Sequence, residues 1–313
     1  MRTRAISLFV LTLFVPGTPA TAQDDSTSYH HKPDFVFHEV HGVGLMMDVF
    51  TPKERPNGLA VVDVVSGSFF SDRGKLRQHV KFGVYQEFCA KGYTVFAVRP
   101  GSMTKFSIPE MADHIKTAIR WVRMNADEYG LDASDGVRIG IVGASAGGHL
   151  ASLVATTPDD GTPNAREKLH RYSSRTQALV AFFPPTDFLA YGDVKVDANK
   201  TPGLPTIFKG IMFPGPPIPR TPEQLTAQMK KISPAHQIRP DCPPVLLIHG
   251  DADPTVPLQQ SQVFYERLVE RGIDAKFIVK PGGGHPWPTL HEEVKIAVEW
   301  MDGKLRGGDV AGK

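Results

Sequence analysis

The chain has 313 residues, enough for one large α/β domain or two small ones with a sizeable core. Hydrophobic residues make up 41% and charged residues 22%, an ordinary balance for a soluble globular protein. The formal net charge of +2 gives no electrostatic case for nucleic acid or an anionic membrane as a partner.

The first element is a targeting pattern. "MRTR" supplies positive charge, "AISLFVLTLFV" a short apolar run, and "PGTPATAQDD" a helix break with a small-x-small site at Ala20-Thr21-Ala22. The run is too short to span a bilayer comfortably, so residues 1–22 are expected to be a signal peptide cleaved near Ala22. The mature protein is then expected in the periplasm or secreted, with no stable membrane insertion.

The rest, residues 33–303, is expected to form one domain. "DFVFHEV" and "LMMDVFTP" predict a hairpin joined by "HGVG", and "LAVVDVVSG" (59–67) predicts a buried strand. Asp63 is unusual in that run and is expected to be paired or near the strand end. A helix over residues 75–92, a strand over 93–100 and a helix over 108–130 follow. "VRIGIVG" is a strand and "SAGGHLASLVATT" the helix after it. Strands over 178–185 and 243–250, the helix "LQQSQVFYERLVERG", the strand "AKFIVKPG" and a last amphipathic helix complete the chain. Alternating strands and helices imply a mostly parallel sheet with helices on both faces, and the leading hairpin adds antiparallel strands.

Residues 190–233 interrupt this alternation. Seven prolines fall between Pro202 and Pro222, which excludes a core strand. Such an insertion is expected to act as a lid, with Ile207, Phe208, Ile211, Met212 and Phe213 available to cover an apolar site. Cys89 and Cys242 are expected to be two buried thiols rather than a bridge. No zinc spacing, phosphate loop or dinucleotide fingerprint is present, so neither a metal nor a cofactor is expected.

Gly143-Ala144-Ser145-Ala146-Gly147 matches G-x-S-x-G between a predicted strand and a predicted helix. Small neighbours permit the strained turn that lifts a serine hydroxyl above the strand end. The Ala146 N–H, at a helix start, can meet a negative oxygen. A serine needs a base, and a base needs an orienting carboxylate. "VLLIHG" is followed by Asp251-Ala252-Asp253-Pro254, and "AKFIVKPGG" by Gly284-His285-Pro286. Asp253, further into its loop, is the stronger acid candidate, and Asp251 reads as structural. His285 is the base candidate. His149 and His249 read as packing or hydrogen-bonding residues, and His291 lies beyond the loop.

"GASAGGHLA", "PPVLLIHGDADPTVP" and "GGGHPW" resemble the α/β-hydrolase superfamily, in the esterase and lipase branch related to the prolyl-oligopeptidase-type catalytic domain. The resemblance covers essentially the whole mature chain. It implies an α/β-hydrolase fold with Ser145 as nucleophile, Asp253 as orienting acid and His285 as general base. The branch usually carries a His-Gly-Gly-Gly-type oxyanion loop, whereas this chain has Ser66-Gly67-Ser68-Phe69-Phe70. Gly67, Ser68 and Ala146 are the expected oxyanion-hole donors, with Phe69 and Phe70 as candidate substrate contacts. The expected activity is hydrolysis of a small-molecule or carbohydrate ester, including acetylated carbohydrates. An aminoacyl-amide hydrolase and a non-catalytic binding protein on the same scaffold are the competing readings.

Overall fold

The computed structural model describes residues 27–307, except 135, 196–210, 216–217 and 219. The expected signal segment, Ile207 and Phe208 lie outside the described residues. The chain opens with β1 (Tyr29–Val40) and β2 (Val43–Pro52), an antiparallel hairpin. His41 and Gly42 turn it, at φ 51° and 72°. Left-handed residues at both turn positions match the right-handed twist of the flanking strands.

Next come β3 (Ala60–Val64), α1 (Arg73–Lys81), α2 (Val84–Ala90), β4 (Thr94–Arg99) and α3 (Ile108–Met124). β5 (Ile139–Ala144) leads into α4 (Ala146–Thr156), then β6 (Ala178–Phe182). A small pair, β7 (Ala190–Tyr191) and β8 (Val194–Lys195), precedes α5 (Pro222–Lys231). β9 (Val245–Gly250), α6 (Gln259–Glu270), β10 (Ala275–Lys280) and α7 (Leu290–Arg306) follow.

Eight strands form one sheet in the order β1-β2-β4-β3-β5-β6-β9-β10, antiparallel through β1, β2 and β4 and parallel from β4 to β10. This is the expected architecture. The inner strands are apolar runs because both faces are covered. On one face Ile115 of α3, Leu150 and Val154 of α4 and Phe264 of α6 join one core cluster. On the other, Phe88 of α2 and Val294, Val298 and Met301 of α7 join a second. Fully burying each such side chain stabilises the fold by roughly 1.5–3 kcal/mol.

Four boundaries differ from expectation. The single helix expected over 75–92 is two, because Gly83 sits at φ 77° between α1 and α2. The helix expected to run to residue 130 ends at Met124, and a single tighter turn, Ala126–Tyr129, closes on Gly130 at φ 61°. β3 stops at Val64 and β6 at Phe182, short of the expected ends. In both strands the residues left over build turns at the end of the sheet described below.

Cys89 and Cys242 are free and buried, and burial pushes both thiols up to about 12. Part of the expected lid insertion lies within the described residues. Ile211 and Met212 are buried in the core cluster with Leu225 and Met229 of α5, and Phe213 packs against that cluster. Their apolar surface is spent on the core rather than left to cover a site. Among the described residues, no helix is long and apolar enough to cross a membrane.

Candidate active site

Parallel strands deliver their carboxyl ends to one edge of the sheet, where open α/β folds place their crevices. β5 ends there, and Ser145 follows at φ 54°, ψ −123°. A non-glycine residue holds such a conformation only when its surroundings enforce it. Here the Ser145 N–H donates to Phe182 O at 2.9 Å. A Cβ on Gly143 would lie 2.4 Å from Gly147 O, and one on Gly147 2.3 Å from Val64 O. Nothing larger than glycine fits at either position. Ala146 opens α4, so its N–H is among the helix-start amides with no partner inside the helix.

His285 Nε2 lies 2.9 Å from Ser145 Oγ, and His285 Nδ1 lies 2.6 Å from Asp253 Oδ2. A carboxylate only accepts, so Nδ1 carries the ring proton and Nε2 accepts from the serine hydroxyl. The Thr255 and Val256 amides donate to Asp253 Oδ1 at 2.7 and 2.9 Å, in the local turn set by Pro254. Burial opposes the Asp253 charge. Hydrogen bonds from His249, His285 and these two amides outweigh it, and the carboxyl is held well below the usual carboxylate range. Asp251 holds the neighbouring loop instead, its Oδ1 accepting from the Gly282 N–H at 2.6 Å.

His249 does more than its sequence position suggests. Its Nε2 lies 2.9 Å from Val256 O and 3.3 Å from Asp253 Oδ2, and its Nδ1 lies 2.8 Å from Ser261 Oγ. Val256 O can only accept, so Nε2 carries the proton and the Ser261 hydroxyl donates to Nδ1. A second imidazole therefore steadies the carboxylate oxygen that meets His285. Its one sequence signal is a histidine ending an apolar strand four residues before the acid. Phe183 carries no sequence signal that singles it out. It holds φ 38°, and its ring packs edge to face on His285 with centroids 4.5 Å apart. His149 is wholly buried, lies with Nδ1 2.9 Å from Pro185 O, and is lowered to about 4 by burial. His291 is exposed on α7.

The "SGSFF" stretch is a two-residue turn. Ser68 and Phe69 hold φ 51° and 60°, while Gly67 and Phe70 exchange two N–H···O bonds of 2.9 Å. The Gly67 N–H is therefore already engaged, which removes it from the expected set of oxyanion donors. The Ser68 N–H takes no part in that exchange. Ser66 O accepts the Gly147 N–H at 3.0 Å, tying this turn to the start of α4. The left-handed turn swings Phe69 inward, where it is buried edge-on to His149, and leaves Phe70 exposed. Neither phenylalanine is among the residues lining the cavity beside Ser145.

That cavity, of about 220 Å³, is lined by Gly67, Ser68, Ser145 and His285 and continues to Asp63 and His79 on the α1 side. Asp63 is paired, as its setting required. Its Oδ2 lies 2.7 Å from His79 Nδ1 and accepts from the Tyr85 hydroxyl at 2.8 Å. Burial works to lower His79, but the Asp63 charge and hydrogen bond outweigh it and the imidazole is raised.

The BD-FAE family profile matches residues 47–268. The chain belongs to the BD-FAE family. The BD-FAE chain is 31% identical over 180 residues to a probable carboxylic ester hydrolase, LipM, of Mycobacterium tuberculosis, covering 56% of this chain and 38% of that protein. It is 27% identical over 248 residues to the esterase LipC of the same organism, covering 78% and 57%. The chain thus spans 38% of one relative's length and 57% of the other's, less than two thirds of either. A solved carbohydrate esterase from gut microbiota superposes with a TM-score of 0.74 over 90% of this chain and 98% of that one, at 24% identity. That likeness establishes the α/β-hydrolase fold.

Proposed function

We propose that this BD-FAE protein is a serine hydrolase of carboxylic esters, with Ser145, His285 and Asp253 as its catalytic triad. The hydrogen-bonded line from Asp253 Oδ2 through His285 to Ser145 Oγ carries the reading. Ser145 Oγ attacks the ester carbonyl carbon while His285 Nε2 takes its proton. Asp253 stabilises the imidazolium and keeps its orientation. The carbonyl oxygen becomes an oxyanion held by the Ala146 and Ser68 amides. As the C–O bond breaks, His285 returns the proton to the leaving alcohol. Water, deprotonated by the same imidazole, then attacks the acyl-serine and releases the acid. Carbohydrate esters, acetylated sugars included, are the substrate class we assign, supported by the name of the gut carbohydrate esterase that shares the fold.

Hydrolysis of nitrophenyl acetate tests the reading. Ser145→Ala should lower kcat/KM by about 10⁴-fold or more with the fold unchanged. A fluorophosphonate probe should label wild type at Ser145 and leave the variant unlabelled. A retained rate in the variant overturns the assignment, and faster turnover of aminoacyl-amides than of esters redirects it to a peptidase. We also propose export, supported by the charged and apolar pattern of residues 1–22. Mass spectrometry of the expressed protein should find a mature start at Gln23.

A further inference from the structure

Two buried polar atoms in the cavity beside Ser145 have no partner among the described residues: Asp63 Oδ1 and Ser66 Oγ. The residues are 1% and 2% exposed, and both line the cavity that also contains Ser145 and His285. Buried polar atoms are nearly always hydrogen-bonded, and among the unpartnered side-chain atoms of the described residues these two alone share a cavity, where a water or a substrate group can complete them. Asp63 Oδ2 is already taken by His79 and Tyr85, which leaves Oδ1 as the free acceptor.

Their position gives the distance scale. Asp63 pairs with Val142 of β5, three residues before Ser145. At about 3.3 Å per residue, the floor lies roughly 10 Å along the strand from the serine. The walls between are apolar: Val142, Phe182, Phe183, Leu290 and Val294. The residue facing Asp63 from α1 is His79, the one facing it from α2 is Tyr85, and Lys75 lies against Gly67, where an added Cβ would come within 2.9 Å of its Cδ. With Oδ2 engaged by His79 and by the Tyr85 hydroxyl, Oδ1 is left as a single acceptor, which suits one uncharged donor such as a hydroxyl.

We propose that Asp63 and Ser66 form a specificity subsite that binds a hydroxyl carried by the substrate, one ring or short chain away from the ester carbonyl. The hydroxyl donates to Asp63 Oδ1, and Ser66 Oγ bonds the same group or its neighbour. This rests on the ester-hydrolase reading above. The hydroxyl can belong to the alcohol part, as in a sugar ester, or to the acyl part, as in a hydroxyacyl ester.

Two matched pairs of substrates separate these sources. In the alcohol arm, a hexose acetate is compared with cyclohexylmethyl acetate. In the acyl arm, nitrophenyl hydroxybutyrate is compared with nitrophenyl butyrate. The measured quantity is the ratio of kcat/KM, hydroxylated over plain, in wild type, Asp63→Asn and Ser66→Ala. Wild type should favour the hydroxylated member of one arm, and that arm names the source. Both variants should lower that ratio about tenfold, the scale of one lost hydrogen bond to a buried group. Ser66→Ala removes a side-chain atom with no internal partner, so it keeps the test valid should Asp63→Asn fail to fold. Ratios within twofold of wild type in both arms for Ser66→Ala overturn the subsite and leave its atoms serving buried water alone. Absence of turnover with all four esters overturns the subsite together with the ester-hydrolase reading, whereas turnover with unmoved ratios overturns the subsite alone.

Discussion

Asp253 accepts four hydrogen bonds, two from imidazoles and two from amides, on two oxygens. The amides fix the carboxylate in its loop, and His249 limits its rotation toward or away from His285. His249→Gln should therefore lower kcat by about tenfold with little change in KM, on the scale of one charge-assisted hydrogen bond. Steady-state kinetics on a nitrophenyl ester read this directly, and a pure KM effect would assign His249 to packing instead. The depressed Asp253 carboxyl also has a stability consequence. A group with a lowered folded value stabilises above its unfolded value, near 3.9, and that contribution disappears as pH falls through the folded value. Urea titrations of wild type and Asp253→Asn should differ at neutral pH and converge in strong acid. His149 and His79 pull the other way from each other. Lowered to about 4, His149 leaves the unfolded chain binding more protons between about pH 4 and 6.5, so stability should climb across that window by on the order of 3 kcal/mol. The raised His79 stabilises below its unfolded value, near 6.5, and its contribution is lost as pH rises through its folded value. His149→Phe should flatten the acid slope and His79→Gln the opposing one.

At the scale of elements, the join between β5 and α4 depends on two missing side chains. Gly147→Ala would drive a Cβ into Val64 O and push α4 away from the Ser66 turn. Displacement of the Ala146 amide by about 1 Å should cost roughly 10²-fold in rate, and thermal unfolding should shift down. The break between α1 and α2 offers a contrast. Gly83→Ala places an alanine at φ 77° whose Cβ would meet only Glu87 Cγ, at an ordinary 3.9 Å, so it should destabilise by about 1 kcal/mol through backbone strain and spare activity. These two joins divide what is legible in the sequence from what is not. Ser145, Asp253 and His285 each follow an apolar run with a loop signal, so the order of strands alone points to them. Apolar periodicity runs straight through Phe82-Gly83, and nothing local in "FG" demands a helix break there rather than a tolerated glycine. Phe69 and Phe70 read as pocket walls because their chemistry suits one. Only the left-handed pair of residues in the turn sends one ring into the core and the other into solvent.

For the molecule as a whole, the Pro-rich insertion is the hardest segment to place from sequence. Its composition excludes a core strand, yet composition is silent on which face of the sheet the apolar residues join. Ile211 and Met212 join the α3 and α4 side, with α5 packed by Leu225 and Met229. The cavity beside Ser145 lies on the other side, between α1 and the start of α7. Removal of the apolar anchor by Met212→Ala should accordingly cost about 2–5 kcal/mol of stability and shift ester chain-length preference little. A change in preference as large as that from Leu290→Ala, which opens the cavity wall, would restore the insertion to the site.

The two loops that carry acid and base are stitched to each other before either meets the serine. Asp251 and Ala252 donate to Lys280 O and Gly283 O, Gly282 donates to Asp251, and the backbones touch so closely that a Cβ on Gly250 would lie 2.2 Å from Gly283 O. Ser145 arrives from β5, with β6 between it and β9. The site is thus expected to behave as two pieces joined through β6, where Ser145 N–H donates to Phe182 O and Phe183 N–H to Ile248 O, with the seam between Ser145 and His285. Heat or shear that twists the sheet should open it there first. Fluorophosphonate labelling of Ser145 should fade with rising temperature while the hydrogen-bonded proton between His285 and Asp253 is still visible by NMR. Loss of both signals at one temperature would mean that the three residues move as one body.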